Sequence, residues 1–350
     1  MDLDRGAGPL EKWTRADHIV CPNDEIVDQL AAGLLAPSID EILPLGDTSW
    51  LAVTTVTDSS ALIGMSTGKV GEIFVGIPPI YAKSSAEGQD ILTTGSEIIQ
   101  EGDKLVFVSS STEPFGQITL ATGRKDPEMS ARPQVAIFGA TQFGNKLASH
   151  YLNVGSEVVV IEPDLDAANE LVGSPVGMNK RLDVIHGDPQ DEELLKELEI
   201  DEHDIAVAAL DDDNLNIAIS MRALDKGVPR TGLLLKDRSL VEAIQRIGLT
   251  NPISRRLVTI TSILKSIHMN LPGTYQVLPP LSSIISISAT ISEENSMIGR
   301  SIADVESKLG VRIVMVGRED EDGTQFVLNP NQVESIGVGD RLYLLLRKDD

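Results

Sequence analysis

Short apolar runs alternate with longer stretches of helical spacing along residues 133–270, and that alternation is the strongest pattern in the chain. The run PQVAIFGATQFGNKLASHYLNVGSEVVVIE (133–162) shows the unit. An apolar strand (135–138) meets a glycine turn, then a helix beginning near Gln142, then a second apolar strand (158–161) ending in Glu162. Helices at 166–172, 191–198, 214–224 and 239–247 then alternate with strands at 183–186, 205–210 and 231–235. Strands and helices alternating at this spacing predict an α/β fold with a doubly wound parallel sheet over 133–271. Pro252 is expected to open a helix to about Met269, stopped by Leu271-Pro272-Gly273. Its apolar residues at 253, 257, 260, 263, 264 and 267 leave one face wanting a partner.

A second pattern flanks the first. SSALIGMSTGKVGEIFV (59–75) and SMIGRSIADVESKLGVRIV (296–314) share an Ile-Gly turn, a short helical stretch and a β-branched strand. EGDKLVFVSS (101–110) pairs likewise with VGDRLYLLLR (338–347). The Ile-Gly landmarks are 235 positions apart (298 − 63) and the Gly-Asp landmarks 237 (339 − 102). Two landmarks at nearly one offset predict two copies of a small α+β module, at 38–112 and 278–350. Alternating strands at 50–57 and 284–291 open the copies. Residues 113–132, with Pro114, Gly116, Gly123 and Pro127, read as a linker. Pro22 opens a further expected helix to about Leu35, closed by Pro37, and Pro22 and Pro252 are 230 apart (252 − 22). Residues 1–37 are therefore expected to be the end of another fold of the kind read over 133–271, whose earlier part is missing.

Charge narrows the partners. With 53 acids against 29 bases the formal net charge is −24, which repels phosphate backbones and anionic lipid. Aromatics are only 3%, too few for base-stacking platforms, so nucleic acid is not an expected partner. No apolar run is long enough to span a membrane, and the N-terminus lacks the pattern of a secretory signal, so no direct membrane insertion is expected. The single cysteine, Cys21, excludes an internal disulfide and reads as a small buried residue in a reducing compartment.

The order strand, glycine turn, helix, strand, acid is that of a dinucleotide-binding unit. Gly139 permits the tight turn, Gly144 lets the helix approach the sheet, and the turn and first helical residues Thr141, Gln142 and Phe143 face the phosphate position. Thr141 stands where the middle glycine of G-x-G-x-x-G is usual, which puts a side chain where backbone should approach pyrophosphate. Glu162 is placed to accept from ribose hydroxyls and disfavours a 2′-phosphate; the nearest basic residue, Lys180, is too far along the chain to offset it. NAD(H), ATP and ADP are thus the expected nucleotides. In HGDPQ (186–190), Asp188 either caps the following helix or contacts adenine. The run Asp211-Asp212-Asp213 could suggest a divalent cation, but helix capping and solvation explain it better, and the scattered histidines have no metal-ligand spacing. No nucleophile elbow, Walker motif or tyrosine–lysine relay is present, so the reading is a sensor without catalytic residues.

IFGATQFGNKLA, VVVIEPD, VIHGDPQDEELL and AVAALDDDNLNIAI, followed by the Ile-Gly and Gly-Asp module, resemble the RCK/KTN domain family of Trk-type potassium-uptake regulatory subunits and channel gating rings. The resemblance covers nearly the whole chain: an RCK N-type Rossmann-like domain at 133–271 flanked by two C-type modules, with residues 1–37 as the remnant strand, just before Pro22, and crossover helix of a first N-type domain. It carries the nucleotide site to Gly139, Gly144, Glu162, Gly187, Asp188, Asp213 and Asn216. Leu210 and Asn214 depart from the usual threonine and glutamate. It implies a non-enzymatic cytoplasmic subunit, peripheral on the inner face of the cell membrane, that gates a membrane potassium channel or transporter. It also implies homo-oligomers assembled through the helices at 252–268 and 22–35. An NAD-dependent oxidoreductase, and a regulator of a cation/proton antiporter sensing a small effector through the C-type modules, are the competing readings.

Overall fold

The computed structural model describes residues 22–45, 49–246, 251–267, 274–277, 281, 283–319 and 325–348. The chain divides into two compact units, one of residues 1–37 with 127–262, the other of residues 38–126 with 263–350. The strand expected just before Pro22, Cys21 and the stop at 271–273 lie outside the described residues.

In the first unit, helix α1 (Asn23–Leu35) precedes β1 (Gln134–Phe138), α2 (Gln142–Asn153), β2 (Glu157–Glu162), α3 (Leu165–Val172) and β3 (Leu182–His186). Then come α4 (Glu192–Glu197), β4 (Ile205–Ala208), α5 (Asp213–Asp225), β5 (Arg230–Leu235), α6 (Arg238–Arg246), β6 (Pro252–Ser254) and α7 (Arg255–Ile267). The strands lie in the order β6-β5-β4-β1-β2-β3, every neighbour parallel. This is the doubly wound order, and it reverses between β1 and β4. Val135 and Ile137 enter one core while Ala136 and Phe138 enter the other, because alternate strand residues face opposite sides. Both faces are covered, which is why the strands read as continuous apolar runs.

Helix α1 belongs to this unit's core. Ile26, Leu30 and Leu34 are fully buried with Leu147 of α2. Gly232 of β5 makes the room: a Cβ there would lie 2.8 Å from Leu30 Cδ1 and 3.5 Å from Leu34 Cδ2. Lys146 of α2 adds a 2.7 Å ion pair to Asp24. The apolar face of residues 22–35, expected to serve subunit contact, is thus covered within the chain. The helix expected from Pro252 also starts later. Residues 252–254 pair with Leu233–Leu235 as an edge strand, where proline is tolerated, and the Ser254 hydroxyl accepts the Leu257 N–H (3.2 Å) as the helix begins.

The second unit holds two five-stranded antiparallel sheets of identical order. In the first, 41–44, 50–55, 104–109, 80–84 and 90–92 lie side by side; in the second, 274–277, 284–290, 341–347, 312–319 and 325–328. Both carry a register shift at the same place, between Ile80 and Ala82 and between Ile313 and Met315. Leu51, Val53, Tyr81 and Val106 share one core with Ile284, Val314, Met315 and Leu345, so the two copies fold against each other. The repeated Gly-Asp landmark marks a buried lock. Asp103, 1% exposed, accepts from Lys83 Nζ and the Gln100 N–H (both 2.8 Å). Asp340, 2% exposed, accepts from Arg318 Nε and Nη2 and the Gly337 N–H (each 2.7 Å). Residues 113–132 are not a bare linker: Phe115–Ala121 form a helix that buries Phe115 and Ile118. Proline and glycine in and beside it hide that short apolar helix from a composition reading.

Candidate functional site

Where the strand order reverses, the ends of β1 and β4 diverge, and the candidate site is built there from their loops. Gly139 turns the chain out of β1 at φ +118°, a conformation that strains any side chain. A Cβ on it would also stand 3.0 Å from the Ala209 carbonyl. One turn later α2 comes so near that a Cβ on Gly144 would lie 2.0 Å from the Gly139 oxygen. Both fingerprint glycines are therefore fixed by backbone meeting backbone. Thr141 is the N-cap: its Oγ1 accepts the Gly144 N–H (3.1 Å) and donates to the Ala209 oxygen (2.9 Å). The threonine thus ties the start of α2 to the end of β4. Gln142 and Phe143 open the helix with N–H groups that have no intrahelical acceptor, at its positive end.

Glu162 ends β2 and is 5% exposed. Its carboxylate oxygens accept the N–H groups of Ala140 (2.6 Å) and Asp164 (2.8 Å), so the acid braces the glycine turn. A carboxylate has about four lone-pair sites, which leaves acceptor capacity facing the cavity.

The acids after β4 divide their work. Asp212 caps α5 by accepting the Leu215 N–H (2.9 Å). Asp213 accepts the N–H groups of Lys236 (2.9 and 3.0 Å) and Asp237 (2.9 Å), pinning the loop after β5. Asn216 is fully buried and acts as a bracket: it accepts the Leu210 N–H (2.9 Å) and donates to the carbonyls of Leu210 and Leu234 (both 2.8 Å). Every polar atom of its amide is turned to backbone.

Ala140, Thr141, Gln142, Phe143, Glu162, Asp164, Asp211, Asp213, Lys236 and Arg255 are among the residues lining one open cavity of about 400 Å³. That volume lies within the range of small-molecule sites. Gly139 and Gly144 shape the turn behind it. Gly187 and Asp188 do not line it, and neither does Asn216. Gly187 packs against Leu194, where a Cβ would stand 2.6 Å from Cδ2. Asp188 accepts the Gln190 N–H (2.8 Å), whereas the cap of α4 is Asp191. Among the described residues no His, Cys, Asp and Glu group of three or more could hold a metal ion.

Sequence reasoning missed two residues, Lys236 and Arg255, the cations of the cavity wall. Lys236 follows β5 at the ligand-binding edge, a signal that could have found it. Arg255 was hidden by the misplaced helix start. The cavity wall thus brings together acids, the N-terminus of α2 and two cations around a cleft open to solvent.

Residues 135–255 match the TrkA-N domain. The chain is 23% identical over 340 residues to the Trk system potassium uptake protein TrkA of Azorhizobium caulinodans, covering 95% of this chain and 70% of that protein. It is 22% identical over 311 residues to the TrkA of Halomonas elongata, covering 87% of this chain and 65% of that protein. The chain thus spans about two thirds of the length of these relatives. Among solved structures it is similar to the GsuK channel bound to NAD, at TM-score 0.49 and 16% identity, covering 98% of this chain and 59% of that one.

Proposed function

From the premise that residues 135–255 are a TrkA-N domain in a chain of the RCK family, we propose that this protein is a nucleotide-sensing regulatory subunit of a membrane potassium uptake system. It acts from the cytoplasmic face and gates its partner without catalysis. Among the described residues no helix is long and apolar enough to cross a membrane. The observation that carries the reading is the cavity at the point where the sheet order reverses, whose wall includes Arg255, the first residue of α7.

A ligand there touches loops from β1, β2, β4 and β5 together with the start of α7. If it fits one placement of α7 better than another, occupancy shifts the population of that placement, by no more than its difference in affinity. The glutamate beside the ribose position favours NAD(H), ATP or ADP over nucleotides with a 2′-phosphate. The lining holds no His, Cys, Ser or Tyr, and its one threonine hydroxyl is engaged as donor and acceptor.

The test has two stages. NAD, NADH, ATP and ADP are titrated against the full chain by thermal shift, where binding at 100-fold over Kd adds about 2.7 kcal/mol. Potassium flux is then measured in vesicles holding the Trk membrane subunit, with the chain present and nucleotide varied. A stabilising nucleotide that alters flux is expected. A stabilising nucleotide that leaves flux unchanged would remove the regulatory role.

A further inference from the structure

Asp212 and Asp213 are occupied by backbone N–H groups, and Asp211, beside them, is engaged differently. Its Oδ1 lies 3.5 Å from Lys236 Nζ and 3.8 Å from Arg255 Nη1, and Lys236 Nζ also donates to its carbonyl oxygen. Among the described residues no backbone N–H donates to its carboxylate. One acid therefore holds both cations of the cavity wall, in the cleft where a nucleotide's phosphates would need them.

We propose that Asp211 is an internal stand-in for a ligand phosphate, and that a phosphate-bearing nucleotide takes Lys236 and Arg255 from it on binding. The inference rests on the nucleotide reading of the site. Exposure makes the exchange easy: the side chains of Asp211, Lys236 and Arg255 are 73%, 54% and 41% exposed. Ion pairs so exposed are weak and readily traded. A phosphate brings more charge than a carboxylate, and it suits the planar fork of Arg255 as well as a carboxylate does. The N–H groups of Gln142 and Phe143 would add the helix dipole, which Asp211 on the far loop does not use.

The exchange also has a direction. Lys236 directly follows β5 with its own N–H fixed by Asp213, so its backbone stays. Arg255 opens α7. Moving its guanidinium from Asp211 to a phosphate therefore pulls on the start of that helix, which gives occupancy a route to the rest of the chain. Asp211 sets the threshold: while it holds the cations, a nucleotide must compete for them.

The test is calorimetric titration of the full chain with adenosine, AMP, ADP, ATP and NAD. Four proteins are compared: wild type, Asp211→Asn, the pair Lys236→Met with Arg255→Gln, and all three changes together. Asp211→Asn is expected to tighten phosphate-bearing ligands about five- to tenfold at low salt, more for ATP than AMP and not for adenosine, with the gain shrinking as salt rises. In the background lacking both cations the gain should fall below twofold. An unchanged affinity in Asp211→Asn overturns the proposal. So does a gain that survives undiminished without the cations, since that is plain repulsion rather than competition for them. If wild type and Asp211→Asn bind none of the phosphate ligands, the nucleotide reading itself falls and takes this one with it. Wild-type binding without an Asp211 effect removes only the stand-in.

Discussion

Asn216, carried to the nucleotide site by resemblance, is expected to behave as a bracket between strand ends. Replacing it with alanine deletes three buried hydrogen bonds and leaves the Leu210 N–H and the Leu210 and Leu234 carbonyls without their partner. At about 1 kcal/mol net for each such bond, and more where a buried group finds no water, Asn216→Ala should cost about 3 kcal/mol. Asn216→Asp is the sharper probe, because it is nearly the same shape. It keeps an acceptor for the Leu210 N–H but turns a charge toward two carbonyls that the amide nitrogen met at 2.8 Å. Its pKa should rise above the ordinary carboxylate value, since burial and two carbonyl oxygens oppose ionisation. A folded pKa above the unfolded one means that stability is greatest below the unfolded pKa and is lost as pH rises through the folded pKa. Asn216→Asp should therefore be at least as damaging as alanine at pH 7 and clearly less damaging near pH 4. Amide hydrogen exchange resolved to peptides of β4 and β5 reads the opening free energy of this sheet separately from the other unit. A cost below about 1 kcal/mol for Asn216→Ala, or an aspartate variant insensitive to pH, would refute the bracket.

Two further outcomes follow from the same kind of bookkeeping. Breaking a buried ion pair from one side strands the other charge, typically at about 3–5 kcal/mol. The Lys83 side chain is 10% exposed and that of Arg318 is 35%, so Lys83→Met should unfold the second unit in less urea than Arg318→Met; the reverse order would show that exposure does not set the cost of breaking each lock. His150 on α2 is held below its ordinary pKa by burial, partly offset by the charge of Asp28. A lowered folded pKa means that its contribution is complete above about 6.5 and is lost as pH falls through the folded value. Its NMR titration midpoint should lie below 6.5, and His150→Gln should flatten the stability profile just under that pH.

How much of this was legible depended on which groups the backbone itself constrains. Gly139 and Gly144 could be read from spacing because their neighbours are main-chain atoms that every such unit places alike. The repeat was legible for a similar reason: Asp103 and Asp340 recur because a turn N–H and a strand cation need an acid at that position. Side-chain roles at the strand ends were not legible. Asp188, Asp191, Asp211, Asp212 and Asp213 look alike in sequence, yet they form a turn, a helix cap, a cation partner, a second cap and a clasp. Which role each takes is decided by a residue or two of register at the end of a strand, where pattern reading is least sharp. Pro252 shows the same limit, since its fixed φ suits a helix start and an edge strand equally, and only pairing with β5 decides.

Thr141 gains its meaning from these distinctions. Against a glycine fingerprint it looks like damage. In the fold its hydroxyl does two things that glycine cannot, capping α2 through the Gly144 N–H and binding the end of β4 through the Ala209 oxygen. The cap takes one N–H from the helix start, and Glu162 takes the Ala140 N–H. Two of the donors that a glycine-rich loop would offer to pyrophosphate are therefore satisfied within the protein. On the proposed reading, a phosphate is left with the first turn of α2 together with Lys236 and Arg255, across the cavity and on elements later in the chain. Recognition that leans on those two cations depends on the loop after β5 and the start of α7 being in place. On the proposed nucleotide reading, such a site would link occupancy to α7 more tightly than one whose phosphate contacts all lie in a single loop. The threonine that weakens the fingerprint is thus the residue that shifts the proposed phosphate contacts onto elements able to move with α7.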